Sequence, residues 1–412
     1  MARSSKKQDN SMNTIDLGKE MGLTLFSDTN SANIDNILPT GIPQFDRVFG
    51  GGIPFGRVTE IFGAQGASKS TFLLHLTRIA TEMDVLVVWI DSEGTADNTR
   101  MEELGVDVSK VFSIQPGIGR LKNKPILTVE SVGEELEHYI SLFKENKPDT
   151  PILFIWDSLA NTVAKAELEG DYDNKQMGVK SSSVTKMINK ITPYVTNTNT
   201  GLIIINQVRD DLQSGGYGDG VKSTGGRAFE HSASLRVLLK QASQIKQPKD
   251  SGKEEYSGHI VRARVKKSKL TRPHQDAESF ILSGWELPDG QELEGFDLAY
   301  NTFQEGLRTG LITKGQWKNY VTLNGEEIKL REKEWVPRLK EDIELYRELF
   351  KRTYVENFPE GYGAFDNKIV DITKMEEYQE LKEYYDELGK EKPKEETKEE
   401  TKEETKGEQE DQ

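Results

Sequence analysis

Residues 58–71 read VTEIFGAQGASKST and contain the signal that decides the fold. The first five residues are mostly apolar, which predicts a strand, and the residues after Lys69 lack helix breakers, which predicts a helix starting at the lysine. A strand that passes through a glycine-rich loop into a helix is the setting of a phosphate-binding loop, whose backbone N–H groups and lysine hold phosphate oxygens. The alternative interpretation is an ordinary turn with a solvated lysine.

One residue departs from the phosphate-loop pattern. The pattern G-x-x-x-x-G-K-S/T has glycine immediately before the lysine, because this glycine lets backbone amides approach the phosphate without an intervening side chain. This chain has Ser68 there, so the serine either weakens the site or is accommodated. The candidate phosphate contacts are Gly63, Ala64, Gln65, Gly66, Ala67, Ser68, Lys69, Ser70 and Thr71.

Three further runs are continuously apolar: VLVVWI at 85–90, ILFIW at 152–156 and LIIIN at 202–206. Strands that are buried on both faces have this pattern, which is typical of a parallel sheet covered by helices. Between the first two runs, apolar residues recur at helical spacing from Val129 to Phe143. The sequence therefore predicts an α/β fold, a P-loop NTPase core with a mostly parallel, doubly wound central sheet. In such folds ligands lie beyond the carboxyl ends of the strands.

Polar residues follow each of these runs. VLVVWI leads into Asp91, Ser92 and Glu93, ILFIW leads into Asp157, and LIIIN leads into Gln207. Each of these alone is compatible with a solvated strand end. Behind a phosphate loop they suggest that a carboxylate after VLVVWI orients an attacking water, that Asp157 holds a magnesium shell and that Gln207 senses the terminal phosphate.

The composition narrows the class of function. The net charge of −15, from 54 basic and 69 acidic residues, argues against indiscriminate adhesion to nucleic acid but is compatible with a local basic groove. The chain has no cysteine, which excludes disulfides, thiolate metal sites and a cysteine nucleophile. No apolar run approaches the roughly 18 residues of a membrane span, and no apolar signal core follows the first residues, so the expected location is the cytoplasm.

Longer segments resemble the RecA-type strand-exchange recombinases, most closely their bacterial and phage branches. The resemblance runs from about residue 36 to residue 330. It rests on WIDSEGTADNTRMEELGVD, WDSLANTVAKAELEGDYDNKQMG, IIINQVRDDLQSGGYGDGVKSTGGRAFEHSASLRV and RARVKKSKLTRPHQDAESFIL, which occur in family order. It implies an ATPase that uses Mg²⁺, in which Lys69 contacts the terminal phosphates, Ser70 ligates the ion and Asp157 supports it.

The resemblance also implies how hydrolysis is coupled to assembly. Glu93 would activate the attacking water, and Gln207 would couple the nucleotide to the loop that follows. Lys267 and Lys269 would reach ATP bound to the neighbouring subunit. From their spacing alone, the two lysines would be a solvated strand face, since alternate residues of a strand share a side.

Several positions differ from the bacterial members. Some phage members also lack the glycine that Ser68 replaces, so this departure points to that branch. Arg100 stands where bacterial members carry a tyrosine against the adenine, and a guanidinium can stack there too. Asp97, in the same segment, is a further candidate for ATP contact. Glu230 and His231 stand where bacterial members have a lysine and a phenylalanine that help relay the ATP state between subunits.

Two segments, at about 165–180 and 207–228, resemble the DNA-binding loops of the family. The resemblance gives Met177 the role of a wedge between bases and Tyr217 that of a stacking ring. Basic side chains and glycine amides would meet DNA phosphates. These phosphate-contact candidates are Lys180, Lys186, Arg209, Lys222, Gly225, Gly226 and Arg227. Several aspartates in the same segments leave open the alternative of solvated loops that do not contact DNA.

The chain divides into four predicted parts. Residues 1–35 are polar and aperiodic, which predicts a flexible arm or polymerisation segment, and residues 36–284 form the ATPase core. Residues 285–389 are expected to form a small C-terminal domain. Residues 390–412 repeat KEET and carry net negative charge, and this tail is predicted to be disordered because so polar a tract cannot bury enough surface to offset its ordering entropy.

The residues and the resemblance together predict an ATP-dependent DNA recombinase. Such a protein forms a helical filament on single-stranded DNA and pairs it with homologous duplex DNA. A single-strand-binding protein and a loader are further candidate partners, and no membrane partner is expected. Two alternatives are left open: a DNA-repair ATPase of the same fold without strand exchange, and a filament protein that binds ATP with little hydrolysis.

Overall fold

The computed structural model describes residues 21–22, 24, 36–92, 94, 96–170, 178–196, 198–210, 221–248, 254–286 and 292–358. Glu93, Met177 and Tyr217, most of the predicted arm and the whole acidic tail lie outside the described residues. Within the described part of the chain, no helix has both the length and the apolar character needed to cross a membrane.

A ten-stranded sheet forms the centre of the protein. A separate ribbon pairs β1 (Ile37–Leu38) with β2 (Ile53–Pro54). The strands of the central sheet are β3 (Arg57–Gly63), β4 (Leu86–Asp91), β5 (Val111–Ile114), β6 (Ile152–Asp157), β7 (Thr200–Asp210), β8 (Val221–Ser223), β9 (Leu235–Pro248), β10 (Glu254–Ser268), β11 (Asp276–Glu286) and β12 (Glu292–Phe296).

The strand order is β12-β11-β10-β9-β3-β7-β6-β4-β5, and β8 pairs with the end of β7. The strands from β9 through β3, β7, β6 and β4 to β5 pair in parallel. On the other side of β9, the strands β10, β11 and β12 extend the sheet by antiparallel pairs. The predicted α/β fold with a mostly parallel central sheet is confirmed.

Both faces of the parallel strands β3, β4, β6 and β7 are buried, which explains why their sequences do not alternate. Leu153 and Ile155 of β6 belong to one hydrophobic core, whereas Phe154 and Trp156 belong to the other. A strand whose successive side chains enter two different cores has no polar face.

Helices cover the two faces of the sheet. They are α1 (Pro43–Phe49), α2 (Lys69–Glu82), α3 (Asn98–Glu103), α4 (Val129–Asn146), α5 (Lys165–Leu168), α6 (Val179–Thr196) and α7 (Gly226–Ser232). Residues of α1 and α2 pack in the first core, and residues of α4 and α6 pack in the second. The helix predicted around Val129 to Phe143 is α4, and it begins with a reciprocal cap in which Thr128 Oγ1 accepts from Ser131 N–H at 3.1 Å.

The described residues after β12, up to residue 358, form three helices and a hairpin. These elements are α8 (Leu298–Thr309), β13 (Lys318–Val321), β14 (Glu327–Leu330), α9 (Glu332–Glu341) and α10 (Ile343–Asn357). Trp335, Phe303 and Tyr320 are buried here, in a core that is continuous with that of α1. The Tyr354 hydroxyl on α10 donates to Asp46 on α1 at 2.7 Å. The boundary proposed between residues 284 and 285 falls inside β11.

Candidate nucleotide and DNA sites

The phosphate-loop candidate joins β3 to α2 as the sequence predicts. β3 ends at Gly63 and α2 begins at Lys69. A Cβ at position 63 would lie 2.3 Å from the carbonyl oxygen of Leu239 on β9, so only glycine fits beside that strand. Gly66 has a φ of +75°, in the left-handed region that favours glycine. These two glycines determine the path of the loop.

The Lys69 side chain lies across this loop. Its ammonium donates to the carbonyl oxygen of Gly63 at 3.0 Å and to that of Ala64 at 2.7 Å. Residues Ala64 to Gly66 are exposed, and Ala67 is buried. The structure therefore places a cation beside an accessible loop, an arrangement compatible with binding a phosphate group.

Ser68 adopts the conformation that the missing glycine would take. Its φ of +61° and ψ of +25° lie in the left-handed region, which costs a residue with a side chain roughly 1–2 kcal/mol. The Ser68 Oγ hydrogen-bonds with Nε2 of His259 on β10. Because a hydrogen bond contributes about 1 kcal/mol, this contact is of the size needed to offset the strain of the backbone.

His259 is itself held by Tyr256. The Tyr256 hydroxyl lies 2.7 Å from Nδ1 of His259, and the two rings stack with their centroids 6.4 Å apart. Residues three apart on a regular strand point to opposite faces. The β9–β10 ladder shifts register between Tyr256 and Gly258, however, and this bulge brings both rings to one face. Burial lowers the pKa of His259, which favours the neutral imidazole.

Ser92 joins the ends of β4 and β6. Its N–H donates to the carbonyl oxygen of Asp157 at 3.0 Å, and the N–H of Ser158 donates to its hydroxyl at 3.0 Å. Asp91 lies opposite Asp157 in the parallel register. The half-buried Asp157 carboxyl is therefore located at the edge of the sheet that also carries the phosphate loop.

Asp91 orders the turn after β4. Its buried carboxylate accepts from the N–H of Gly94 at 2.8 Å and from that of Ala96 at 3.0 Å. Glu93 lies outside the described residues, so its assignment as the group that activates water stays a prediction. The hydrogen bonds of Asp91 and Ser92 hold the residues on either side of Glu93 in place.

Gln207 lies beside the first residue of the phosphate loop. In the parallel pair of β3 and β7, Gly63 is opposite Gln207. The Gln207 side chain is exposed, and the backbone N–H of Gln207 donates to Oδ1 of Asn206 at 3.0 Å. The strand that touches the phosphate loop thus continues directly into the second DNA-loop candidate.

A buried carboxylate on β3 connects the strand that enters the phosphate loop to β7 and β9. Glu60 on β3 has no exposed surface, and its Oε1 accepts from Nδ2 of Asn206 at 2.9 Å. Its Oε2 lies 2.5 Å from Nε of Arg236 on β9. The Asn206 amide also donates to the carbonyl oxygen of Thr224 at 2.5 Å.

Arg236 extends this network to the residues that close the second DNA-loop candidate. Its guanidinium donates to Ser223 Oγ at 3.0 Å and lies 3.4 Å from the Glu230 carboxylate. It also lies over the ring of Phe62, 5.0 Å from the centroid. The network of Glu60, Asn206 and Arg236 therefore links β3 to both ends of that loop.

Lys267 is engaged within its own subunit. Its ammonium donates to the carbonyl oxygen of Glu230 at 3.0 Å and to that of His231. These carbonyls end α7, where a cation stabilises the unpaired acceptors and the helix dipole. Burial, with the nearby charges of Lys269 and Arg236, lowers the pKa of Lys267. Lys269 is exposed.

The two glycines of the DNA candidates have conformational roles of their own. Gly225 and Gly226 precede and begin α7 with φ values of +109° and +81°. A Cβ on Gly225 would lie 3.3 Å from Val184 and one on Gly226 would lie 3.4 Å from Ser181. Both glycines thus pack against the N-terminal half of α6, the helix that carries Lys180.

The basic DNA candidates are distributed over α6, β7, β8 and α7. The Lys180 ammonium donates to the carbonyl oxygen of Ala160 at 2.5 Å. Lys186 is exposed and borders a groove of about 320 Å³ with acidic residues of α4. Arg209 on β7 and Lys222 on β8 are cross-strand partners in the backbone ladder. The side chains of Lys222 and Arg227 are exposed.

The ATP-binding candidates Asp97 and Arg100 lie at the start of α3 and within it. Asp97 caps this helix, since its carboxylate accepts from the N–H of Thr99 at 3.0 Å. The Arg100 guanidinium donates to Glu103 at 3.0 Å and to Glu294 on β12 at 2.9 Å. Stacking of Arg100 on a base would compete with these two ion pairs.

The residues present fit a nucleotide with Mg²⁺. Mg²⁺ prefers oxygen ligands and is commonly held by one or two protein groups together with substrate phosphates. Ser70 is exposed in the first turn of α2, and Asp157 presents a carboxyl at the same edge of the sheet. Among the described residues, no group of three or more His, Asp and Glu side chains could hold a metal ion without such phosphates.

Sequence reasoning missed Glu60, Arg236, His259 and Tyr256. A signal for Glu60 was present, because a carboxylate inside the apolar run VTEIF requires a buried partner. No comparable signal marks His259, whose contact with Ser68 spans 191 residues and depends on a strand bulge.

Comparison with known proteins agrees with these features. The model of the RecA N-terminal domain family matches residues 6–287. Protein RecA of Thermotoga neapolitana is 30% identical over 320 residues, which cover 77% of this chain and 82% of that protein. Protein RecA of Aquifex pyrophilus is 32% identical over 285 residues, which cover 69% of this chain and 73% of that protein.

Proposed function

The chain belongs to the RecA family, and from that premise we propose that it is an ATP-dependent DNA recombinase. It assembles as a helical filament on single-stranded DNA, with ATP and Mg²⁺, and exchanges a strand with homologous duplex DNA. Hydrolysis of ATP is stimulated by the DNA.

One observation carries this proposal. Gly63 of the phosphate loop lies opposite Gln207, and β7 runs from Gln207 into the second DNA-loop candidate. A change that Gln207 senses at the terminal phosphate would therefore pass along one continuous strand to a segment proposed to bind DNA.

The nucleotide roles are assigned to this chain's own groups. Lys69 exchanges its bonds with the loop carbonyls for bonds to the terminal phosphates, and Ser70 and Asp157 hold Mg²⁺. The ion neutralises phosphate charge when it is bound. Glu93 orients the attacking water, and Gln207 responds to the terminal phosphate. Positioning and charge neutralisation are most of what phosphoanhydride hydrolysis requires.

The DNA roles are assigned to two loops. Met177 and Tyr217 contact bases, while the glycine amides and exposed cations such as Lys222 and Arg227 contact phosphates. Such contacts are independent of base sequence, as a protein that acts on any homologous pair requires.

The decisive experiment measures ATP hydrolysis by the full chain with and without single-stranded DNA, together with strand exchange between a single strand and a homologous duplex. We expect DNA-stimulated hydrolysis and ATP-dependent exchange, both lost in Lys69→Ala. Lys110→Ala is the matched control, since Lys110 is an exposed lysine far from the loop in sequence, and it should behave as the wild type.

Two other results would replace the proposal. Stimulated hydrolysis without strand exchange would identify a DNA-repair ATPase of the same fold. Filaments that form with ATP but hydrolyse it no faster with DNA would identify an assembly protein that uses ATP as a structural ligand.

A further inference from the structure

Ser68 differs from the glycine of the phosphate-loop pattern in two respects. It has a side chain, and that side chain has a partner on a distant strand. The Ser68 hydroxyl hydrogen-bonds with His259, and His259 hydrogen-bonds with Tyr256. The three residues form a continuous chain of side chains from the phosphate loop to β10.

We propose that His259 is a positioning residue for ATP binding. It holds Ser68 in the left-handed conformation that the phosphate loop requires, and Tyr256 holds the His259 ring in place. The inference rests on the proposed ATP site and names the device by which this chain forms that site without the usual glycine.

The chemistry of the imidazole suits this role. A neutral imidazole has one N–H donor and one acceptor nitrogen, whereas each hydroxyl can either donate or accept. Both ring nitrogens of His259 can therefore be satisfied at once by Ser68 and Tyr256, in either tautomer. Burial of His259 excludes water from competing for the ring.

The proposal makes His259 necessary only because Ser68 is present. Glycine adopts the left-handed conformation without strain and has no hydroxyl to hold. A purely structural role of His259 in β10 would instead be independent of the residue at position 68. The coupling between the two positions separates these explanations.

The experiment measures the dissociation constant of a non-hydrolysable ATP analogue for the full-length wild type, Ser68→Gly, His259→Ala and the double variant. We expect His259→Ala to weaken binding by about threefold to tenfold, the equivalent of one hydrogen bond. In the Ser68→Gly background the same substitution should change binding by less than about twofold, with thermal unfolding used to verify that each protein is folded.

Tyr256→Phe provides a second test that does not disturb the core, because Tyr256 is 46% exposed and the change removes only its hydroxyl. It should weaken binding when Ser68 is present and not in the Ser68→Gly background. Gln244→Ala is the control, since Gln244 is the exposed cross-strand partner of His259 on β9 and should have no effect.

An equal loss on His259→Ala in both backgrounds would overturn the inference, and so would no loss in either. A wild-type protein that did not bind the analogue would refute the proposed function first. The ATP site and its positioning device are thus tested by different results.

Discussion

Glu60 and Arg236 form a buried ion pair between the strand that enters the phosphate loop and the strand that follows the second DNA-loop candidate. Oε2 of Glu60 lies 2.5 Å from Nε of Arg236, and the two side chains are 0% and 12% exposed. Both charges are nearly out of water, so each depends on the other for compensation.

Removing one member of this pair should therefore cost more than removing both. We expect Arg236→Met to lower the free energy of unfolding by about 3 kcal/mol, because it leaves the Glu60 carboxylate buried with only Asn206 as a partner. Glu60→Gln combined with Arg236→Met should recover part of this loss in urea unfolding. Losses that simply add would show that the two charges act independently.

Lys69 and Glu93 should separate binding from hydrolysis. Lys69→Ala removes the cation that lies across the loop, so the variant on its own should not assemble with ATP. Glu93→Gln should leave assembly intact but slow hydrolysis by about 10²- to 10⁴-fold, the typical contribution of a general base. Phosphate release and electron microscopy of filaments measure the two effects, and equal loss of assembly in both variants would contradict this division.

To contact a neighbouring subunit, Lys267 would have to release the carbonyl oxygens at the end of α7 to which it donates. Its bonds to the carbonyl oxygens of Glu230 and His231 stabilise the end of α7, so a move to a neighbour's phosphate would release that helix, which follows the second DNA-loop candidate. The double variant Lys267→Ala with Lys269→Ala should therefore bind ATP as a monomer yet lack DNA-stimulated hydrolysis.

Mixing tests the same assignment across subunits. Combined with Lys69→Ala protein, the double lysine variant should recover some hydrolysis, because some interfaces then pair an intact phosphate loop with intact lysines. Wild-type protein mixed with Lys69→Ala serves as the reference for co-assembly. If co-assembly occurs and no mixing ratio restores activity, the lysines act within their own subunit.

Asp46 and His75 should give the free energy of unfolding opposite pH dependences. Asp46 accepts from the N–H of Thr40 at 2.8 Å, and His75 Nε2 donates to the carbonyl oxygen of Thr40 at 2.7 Å. Burial raises the pKa of Asp46 from 3.8 to about 7, against the hydrogen bonds it accepts. Burial, with the charge of Arg78, lowers the pKa of His75 from 6.5 to about 3.

The contribution of Asp46 to the free energy of unfolding is complete below pH 3.8 and is lost as the pH rises through 7. That of His75 is complete above pH 6.5 and is lost as the pH falls toward 3. Between about pH 4 and 6.5 the two slopes oppose each other, each at most about 1.4 kcal/mol per pH unit. Relative to wild type, Asp46→Asn should therefore gain stability as the pH rises, and His75→Gln should lose it. Urea unfolding at several pH values measures both, and parallel curves would refute the assignment.

The sequence predicted the core of this fold because its signals are local. The strand, loop and helix around Lys69 are adjacent in the chain, and the apolar runs around Phe154 and Ile204 record burial on both faces. The extension of the sheet by β10–β12 was not predicted, since antiparallel pairing depends on contacts between separate segments. The boundary predicted near residue 284 lies within β11.

Ser68 shows more clearly what could not be predicted from the sequence. The sequence identified the serine as a departure but held no trace of His259 or Tyr256 as its partners, because a strand bulge and a pairing over 191 residues bring them together. Lys267 was assigned to a neighbouring subunit by resemblance alone, and its bond to the end of α7 within its own subunit became visible only in three dimensions.

The pairing of β7 with β8 has a consequence for chain length. Asp210 and Val221 are cross-strand partners, so the segment 211–220 begins and ends on a single rung of the ladder. For a flexible connection between two fixed ends, each doubling of length costs only about 0.6 kcal/mol of closure entropy. We therefore expect that the number of residues between Asp210 and Val221 can change without loss of the fold.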